Sequence, residues 1–316
     1  MRNCADKILQ KVGFSEIPAE FQGRRFDDRD VHTWLEGVDF DKAADYYGLK
    51  KHDEFMSRFG AYMEVFYNNR DLQAAAYLLN RFLFCGGYGW PDFFARPATD
   101  MLSAVVLLSG WQQHTANMVR RRFDGVQVER HRHRIFECCT IGLDVYGIDG
   151  VELSQLIWGS IFINAHIVEL GRLQYELKRY AYRLPSFQPE QEFCIGIHIP
   201  RGEKLDDSLV ENSIKCAKRL IPKYFSEFGV PPVYLIHSWL LSEELEDFLP
   251  VDSNIACFRR RFRLLGASPH SSIAKFLFNS VSAPLADYPE DTSLQREVKR
   301  ALLQGRRFYD GIGVLR

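Results

Sequence analysis

The spacing of apolar residues changes once along this chain, near residue 170, and that change limits what the chain can fold into. Before it, Phe55, Phe59, Tyr62, Met63 and Phe66 recur every three or four positions, the stripe of an amphipathic helix. After it, Leu173, Tyr175 and Leu177 alternate with Arg172, Gln174, Glu176 and Lys178, the period of a strand with one wet face. Phe193 to Ile199 is shorter and more apolar, as a central strand is. Val233 to Trp239 reads the same way, with helical spacing from Leu205 to Tyr224 between the two. The fold class predicted is therefore α+β, a helical N-terminal domain followed by a mixed α/β domain. Asp124-Gly125 is a turn signal, so the boundary is placed there: residues 1–125 helical, residues 126–316 the second domain.

Within this outline, Ala98 to Phe123 reads as one long helix whose end carries Arg120, Arg121 and Arg122, which suit the negative end of a helix dipole. Val128 to Tyr146 and Val151 to Val168 read as two more helices, and Ser242 to Leu249 as a short one. Cys257 to Leu265 and Ser272 to Phe278 are expected to pair as strands. A helix over Thr292 to Gln304 and a strand over Phe308 to Leu315 complete the chain.

Bulk properties exclude several function classes. The 316 residues carry a formal net charge of −1, so no global basic field invites nucleic acid. The seven cysteines include no C-x-x-C pair, which argues against a metal site and for a reducing, cytoplasmic setting. Met1 to Lys7 lacks the apolar core of a secretion signal. Leu153 to Val168, the longest charge-free run, is too short to span a bilayer, so no membrane insertion is expected. Aromatic residues make up 14%, enough to suggest large buried faces or a roomy apolar pocket.

The strand over 193–199 runs into Arg201-Gly202 and then a helix. A strand feeding a short glycine-containing loop that opens a helix is a phosphate-binding geometry, because backbone N–H groups there point at an anion.

Several motifs carry a resemblance. They are Trp90-Pro-Asp-Phe-Phe-Ala-Arg-Pro97 and Leu108-Ser-Gly-Trp111 in the first half, and Gly171-Arg-Leu-Gln-Tyr-Glu176, His198-Ile-Pro-Arg-Gly202, Ser238-Trp-Leu-Leu241, Ser253-Asn-Ile255 with Phe258, and Thr292-Ser-Leu-Gln-Arg296 in the second. Over nearly its full length the chain resembles bacterial acyltransferase-domain proteins that join a helical N-acyltransferase domain to a GNAT-like domain. The resemblance implies a central, mostly antiparallel sheet whose neighbouring strands, here Cys194–Ile199 and Tyr234–Trp239, splay apart. It implies acyl-CoA or acetyl-CoA as co-substrate and a small-molecule amine as acceptor. The loop that would take the pyrophosphate is Arg201, Gly202, Glu203, Lys204 and Leu205, flanked by Ile197 and Ile199, with Ser238 as a further cofactor contact and Asn254 as either a cofactor contact or, with Ser253, a local cap. The superfamily loop is richer in glycine, and this one has only Gly202.

Transfer to an amine needs a base, an oxyanion donor and an acid for the leaving thiol. His198, at the end of a central strand, reads as the base or as a buried histidine that orders the loop. Glu176 is a second candidate base, or simply part of a solvated strand face. Tyr309 and Tyr288 lie where the superfamily often keeps the acid. Arg172 and Gln174 read as a grip on a substrate carboxylate, and His237 as a groove-lining polar contact. Arg259-Arg-Arg261 and Arg130-His-Arg-His-Arg134 read as solvated basic faces or as sites for a phosphate.

The reading is an acyltransferase that attacks directly in a ternary complex. Its helical half, with Phe82, Phe84, Trp90, Phe93, Phe94 and Trp111, would cover the acceptor side and keep water from the thioester. A non-catalytic ligand-binding or regulatory protein on the same fold is the alternative, and a hydrolase using His237-Ser238 is a third.

Overall fold

The computed structural model describes residues 3–14, 25–49, 53–85, 101–180, 184, 187, 192–226, 232–279 and 283–316. The Trp90–Pro97 motif and the aromatics Trp90, Phe93 and Phe94 lie outside the described residues. The chain divides into two compact units, Met1–Val168 and Glu169–Arg316. The division falls later than the Asp124-Gly125 turn, because that turn only introduces the next helix of the same core. Asp124 is a helix N-cap, its carboxylate accepting from the Gln127 amide at 2.9 Å.

The first unit is built on helices. They are α1 (Ala5–Lys11), α2 (Asp28–Glu36), α3 (Phe40–Tyr47), α4 (Asp53–Tyr67), α5 (Arg70–Cys85), α6 (Leu102–Leu108), α7 (Trp111–Arg121), α8 (Gly125–Tyr146) and α9 (Leu153–Ile163). Asp27 and Asp39 cap α2 and α3, taking amides that the first turn leaves without partners. Every residue of α6 is buried, and Phe55, Phe66, Phe162 and Ile135 fill the same core.

The single helix expected over 98–123 is two. The Ser109 hydroxyl bonds back to the Val106 carbonyl at 2.7 Å and accepts from Asn80 Nδ2 at 2.8 Å. Such back-bonding competes with the helix ladder. At Gly110 a Cβ would stand 2.9 Å from both Ile163 and Phe84, so only glycine allows this close approach. The helix expected to run to Val168 stops at Ile163. Ala165 takes a left-handed conformation with φ +50°, and Ile167–Leu170 becomes a strand. Its β-branched pair Ile167-Val168 suits that outcome.

His114, from α7, is fully buried between the rings of Tyr47 and His131. Burial, with His131 and Arg132 nearby, holds its pKa well below the ordinary 6.5. Above that value neither the folded nor the unfolded chain protonates it. Below it the unfolded chain binds a proton that the folded chain refuses. Stability therefore falls with pH by up to about 1.4 kcal/mol per unit for this group. Urea midpoints measured between pH 7.5 and 5 decline in the native protein, and His114→Phe, which keeps a flat ring, makes the decline shallower. An equal slope in the variant would refute the assignment.

The second unit carries most of a six-stranded sheet ordered β3-β4-β5-β6-β8-β7. The strands are β3 (Ile167–Leu170), β4 (Leu173–Arg179), β5 (Phe193–His198), β6 (Tyr234–Ser238), β7 (Phe262–Ala267) and β8 (Gly311–Leu315). Short β1 (Asn3–Cys4) and β2 (Arg25–Phe26) form a separate ribbon in the first unit. β4 and β5 pair antiparallel, β5 and β6 parallel, and β8 runs antiparallel to both β6 and β7.

Cross-strand partners share a face. Leu173, Tyr175, Leu177, Ile195, Ile197, Tyr234 and Ile236 therefore line one side, and all are buried. α10 (Asp207–Tyr224) covers that side. Its Ser213 hydroxyl meets the Tyr175 hydroxyl at 3.0 Å, accepts from the Leu173 amide at 3.2 Å and donates to the Leu170 carbonyl. Leaving a buried group there unpaired costs about 1–3 kcal/mol.

Of the strand expected over Cys257–Leu265, the first part belongs to the helix α11 (Asn254–Arg260) and the rest, from Phe262, is β7. Ser253 is the N-cap of α11, accepting from the Ala256 amide at 3.2 Å. The segment expected as the partner strand is α12 (Ile273–Leu277). Thr292 opens α13 (Ser293–Leu303) with a capping box. Ile273, Phe278, Val298 and Phe308 close a small core beneath it.

Candidate active site

The other face of the sheet is mixed, with the buried Cys194 and Leu235 beside a polar set. Gln174, Glu176 and Lys178 of β4 share it with Gly196 and His198 of β5 and His237 of β6. His198 lies opposite Gln174 and Glu176 opposite Gly196, so the two candidate bases are diagonal neighbours. They meet: His198 Nε2 is 2.7 Å from Glu176 Oε2. The carboxyl side chain is 14% exposed and the imidazole 29%, so the pair is partly shielded but reachable. A carboxylate only accepts, so Nε2 carries the hydrogen in the neutral ring and Nδ1 keeps the basic lone pair.

Gly196 makes this approach possible. A Cβ there would stand 3.0 Å from Lys178 Cε and 3.3 Å from His198 Nε2. Lys178 and Gly196 escaped the sequence reading, although the alternation of β4 already placed Lys178 on the polar face. His237 is exposed, and its pKa is lowered. Although the residue as a whole is exposed, desolvation of its ring by the surrounding protein is the main cause. Asp310 opposes it, while Lys178, His198 and His270 add to the lowering.

The β5–β6 ladder is short. It joins Ile195 to Tyr234 and Gly196 to Leu235 and then stops. β5 stays paired with β4 through His198, and β6 stays paired with β8 through Ser238. The two central strands thus diverge beyond Gly196, with His198 on one lip and His237 on the other. Ile197 turns its side chain to the α10 core, so only its main chain borders the divergence. Ile199, just past the strand, is half-buried.

The loop that follows is exposed at Arg201, Gly202, Glu203 and Lys204. Gly202 has φ +113°, a conformation that favours glycine. Among the described residues, the amides of Arg201 to Leu205 donate no hydrogen bond within the protein. The first turn of α10 differs from expectation. Its N-cap Asp206 accepts from the Ser208 amide at 2.9 Å and the Leu209 amide at 3.3 Å, so those donors are taken.

Other expectations are corrected. Arg172 is buried and donates to the carbonyls of Pro200, Glu203 and Lys204, so it is not placed to grip a substrate carboxylate. Gln174 is 1% exposed and donates to Glu169 Oε2 at 2.7 Å, which likewise removes it from substrate. Ser238 points to the face opposite His237, and its hydroxyl accepts from the Leu240 amide at 3.1 Å. That geometry separates the Ser238 hydroxyl from His237 and takes away the pair on which the hydrolase reading stood. Asn254 is the exposed first residue of α11, beside the capping Ser253.

Tyr309 lies just before β8, its amide donating to Ser242 Oγ at 3.3 Å, and no hydrogen bond joins its hydroxyl to the His198–Glu176 pair. Tyr288 accepts from Lys299 through its carbonyl at 2.7 Å. The basic clusters are structural. Arg259 holds the Leu240 and Ser242 carbonyls, Arg260 the Val251 carbonyl, and Arg261 both Asp207 and Glu211. Arg132 and Arg134 pair with Glu129 and Glu137. Burial pushes the Cys194 thiol up to about 11, which leaves it unreactive. Among the described residues, no three His, Cys, Asp or Glu side chains gather as a metal set. No helix among them is long and apolar enough to cross a membrane.

Residues 167–315 match a family model described as GNAT-like C-terminal domain. No curated protein matches the chain. A solved acyltransferase in complex with decanoyl-CoA is 25% identical, with a TM-score of 0.63 over 77% of this chain and 76% of that one. An acyltransferase with decanoyl-CoA and teicoplanin gives a TM-score of 0.65 at 23% identity, over 79% of each chain. An acyltransferase with CoA and 10C-teicoplanin gives 0.64 at 22% identity, over 98% of this chain and 93% of that one.

Proposed function

We propose, from the GNAT-like C-terminal domain that residues 167–315 form, that this chain transfers an acyl group from acyl-CoA to an amine. The observation that carries the reading is the divergence of β5 from β6 beside His198–Glu176, next to a loop whose amides donate to no partner among the described residues. The donor's thioester arm enters the divergence and its diphosphate lies on the loop. The 25% identical acyltransferase bound to decanoyl-CoA supports the choice of donor.

The amine attacks the thioester carbonyl directly. His198 takes the ammonium proton at Nδ1, while Glu176 orients the ring and stabilises the imidazolium. The C–N bond forms, the C–S bond breaks, and the imidazolium carries the proton that the departing thiolate needs. A water-poor site keeps the thioester from hydrolysis. Tyr309 does not figure in this scheme, since His198 serves both proton transfers.

Calorimetric titration with CoA and with decanoyl-CoA tests the donor. Saturable binding with a Kd in the micromolar range is expected. Product mass with a panel of amines then tests transfer. Absence of CoA binding at millimolar concentration would remove the donor assignment. Binding without turnover across the panel would favour the ligand-binding reading instead.

A further inference from the structure

Arg172 stands in the turn between β3 and β4, with 7% of its surface exposed. Its Nε donates to the Lys204 carbonyl at 3.0 Å, Nη1 to the Pro200 carbonyl at 3.0 Å and Nη2 to the Glu203 carbonyl at 2.6 Å. The described residues contain no cis peptide bond. In a trans peptide the C=O and the following N–H point in opposite directions. These carbonyls share their peptide planes with the amides of Arg201, Lys204 and Leu205. Those amides therefore face away from Arg172, and among the described residues none donates within the protein.

We infer that Arg172 is a positioning residue that turns these three amides outward as a cradle for the diphosphate of the acyl-CoA donor, an inference that rests on the function proposed above. The loop has one glycine, Gly202 at φ +113°, so glycine freedom shapes one position and leaves the other peptides to be fixed by something else. The planar guanidinium fork does so, through donors of fixed geometry that a lysine ammonium does not reproduce. A buried cation behind the carbonyls also polarises each peptide toward an anion in front. Asp206 occupies the Ser208 and Leu209 amides, so the donors for an anion come from the loop and not from the helix start.

Two measurements test this. In Arg172→Lys, the advantage of CoA over pantetheine, taken as the ratio of their Kd values by calorimetry, shrinks by about tenfold or more. A general loss of fold or of the thioester groove would weaken both ligands together. In the wild-type protein, CoA displaces the backbone amide resonances of Arg201, Lys204 and Leu205, whereas pantetheine leaves them in place. A folded Arg172→Lys with the wild-type ratio would overturn the inference. So would CoA binding that leaves those three resonances unmoved, even where the variant does not fold. A wild-type chain that binds pantetheine and CoA equally well sinks the cradle but spares the groove, and one that binds neither removes the function proposed above with it.

Discussion

Replacing His198 with alanine lowers kcat for acyl transfer by about 10²–10⁴-fold, the range for loss of a general base. The Kd for CoA changes by less than about threefold, because the imidazole acts on the proton and not on the diphosphate. Glu176→Gln is the informative companion. Glutamine keeps a hydrogen-bonding oxygen at the 2.7 Å contact with Nε2 but removes the negative charge. The ring stays oriented while its imidazolium loses stabilisation, so kcat falls by about tenfold or more and KM for the donor holds. Single-turnover rates with saturating donor separate chemistry from release. Alanine at 198 with a kcat within threefold of wild type would sink the base assignment.

Gly196→Val drops kcat by about 10²-fold or more, the scale of a small misplacement of a reacting group. The Lys178 stem, 3.0 Å from the position of a Cβ, swings aside cheaply because it is flexible. The His198 ring, at 3.3 Å, does not, since Glu176 holds it. Valine adds two further carbons on the same face, so the His198–Glu176 contact opens. The strand itself tolerates the change, because β-branched residues suit a pleated surface. Thermal unfolding therefore shifts little while activity collapses, and Gly196→Ala falls between. A valine variant with wild-type kcat would show that the contact is irrelevant to turnover.

What was legible in the sequence follows from local period. β4, β5, β6 and α10 carry strong alternation or helical spacing, and each formed where expected. His198 and Glu176 were visible as separate candidates, because alternation put Glu176 on a polar face and the strand end exposed His198. Their pairing was not visible, since it depends on the register that sets His198 against Gln174. The first half of β3, Ile167-Val168, was read as helix because an apolar run has no period of its own, and the left-handed turn at Ala165 follows the end of α9. The first part of the strand expected over Cys257–Leu265 failed for the opposite reason. Phe258 and Phe262 invite a strand, yet the Ser253 cap commits that part to a helix. Arg172 and Gln174 looked like ligands because polar residues on a strand face water by default. The β3–β4 hairpin and the following loop enclosed them instead. Gly196 matters only for a neighbour it does not touch in sequence, and spacing carries no sign of that.

The brevity of the β5–β6 ladder has a mechanical meaning. The sheet is two leaves stitched at one end by two residue pairs, each leaf stiffened by its outer neighbour. The width of the opening is then fixed by that stitch and not by any loop. A guest that runs along the seam lies between two margins that the ladder does not join, in the place a further row of stitches would take.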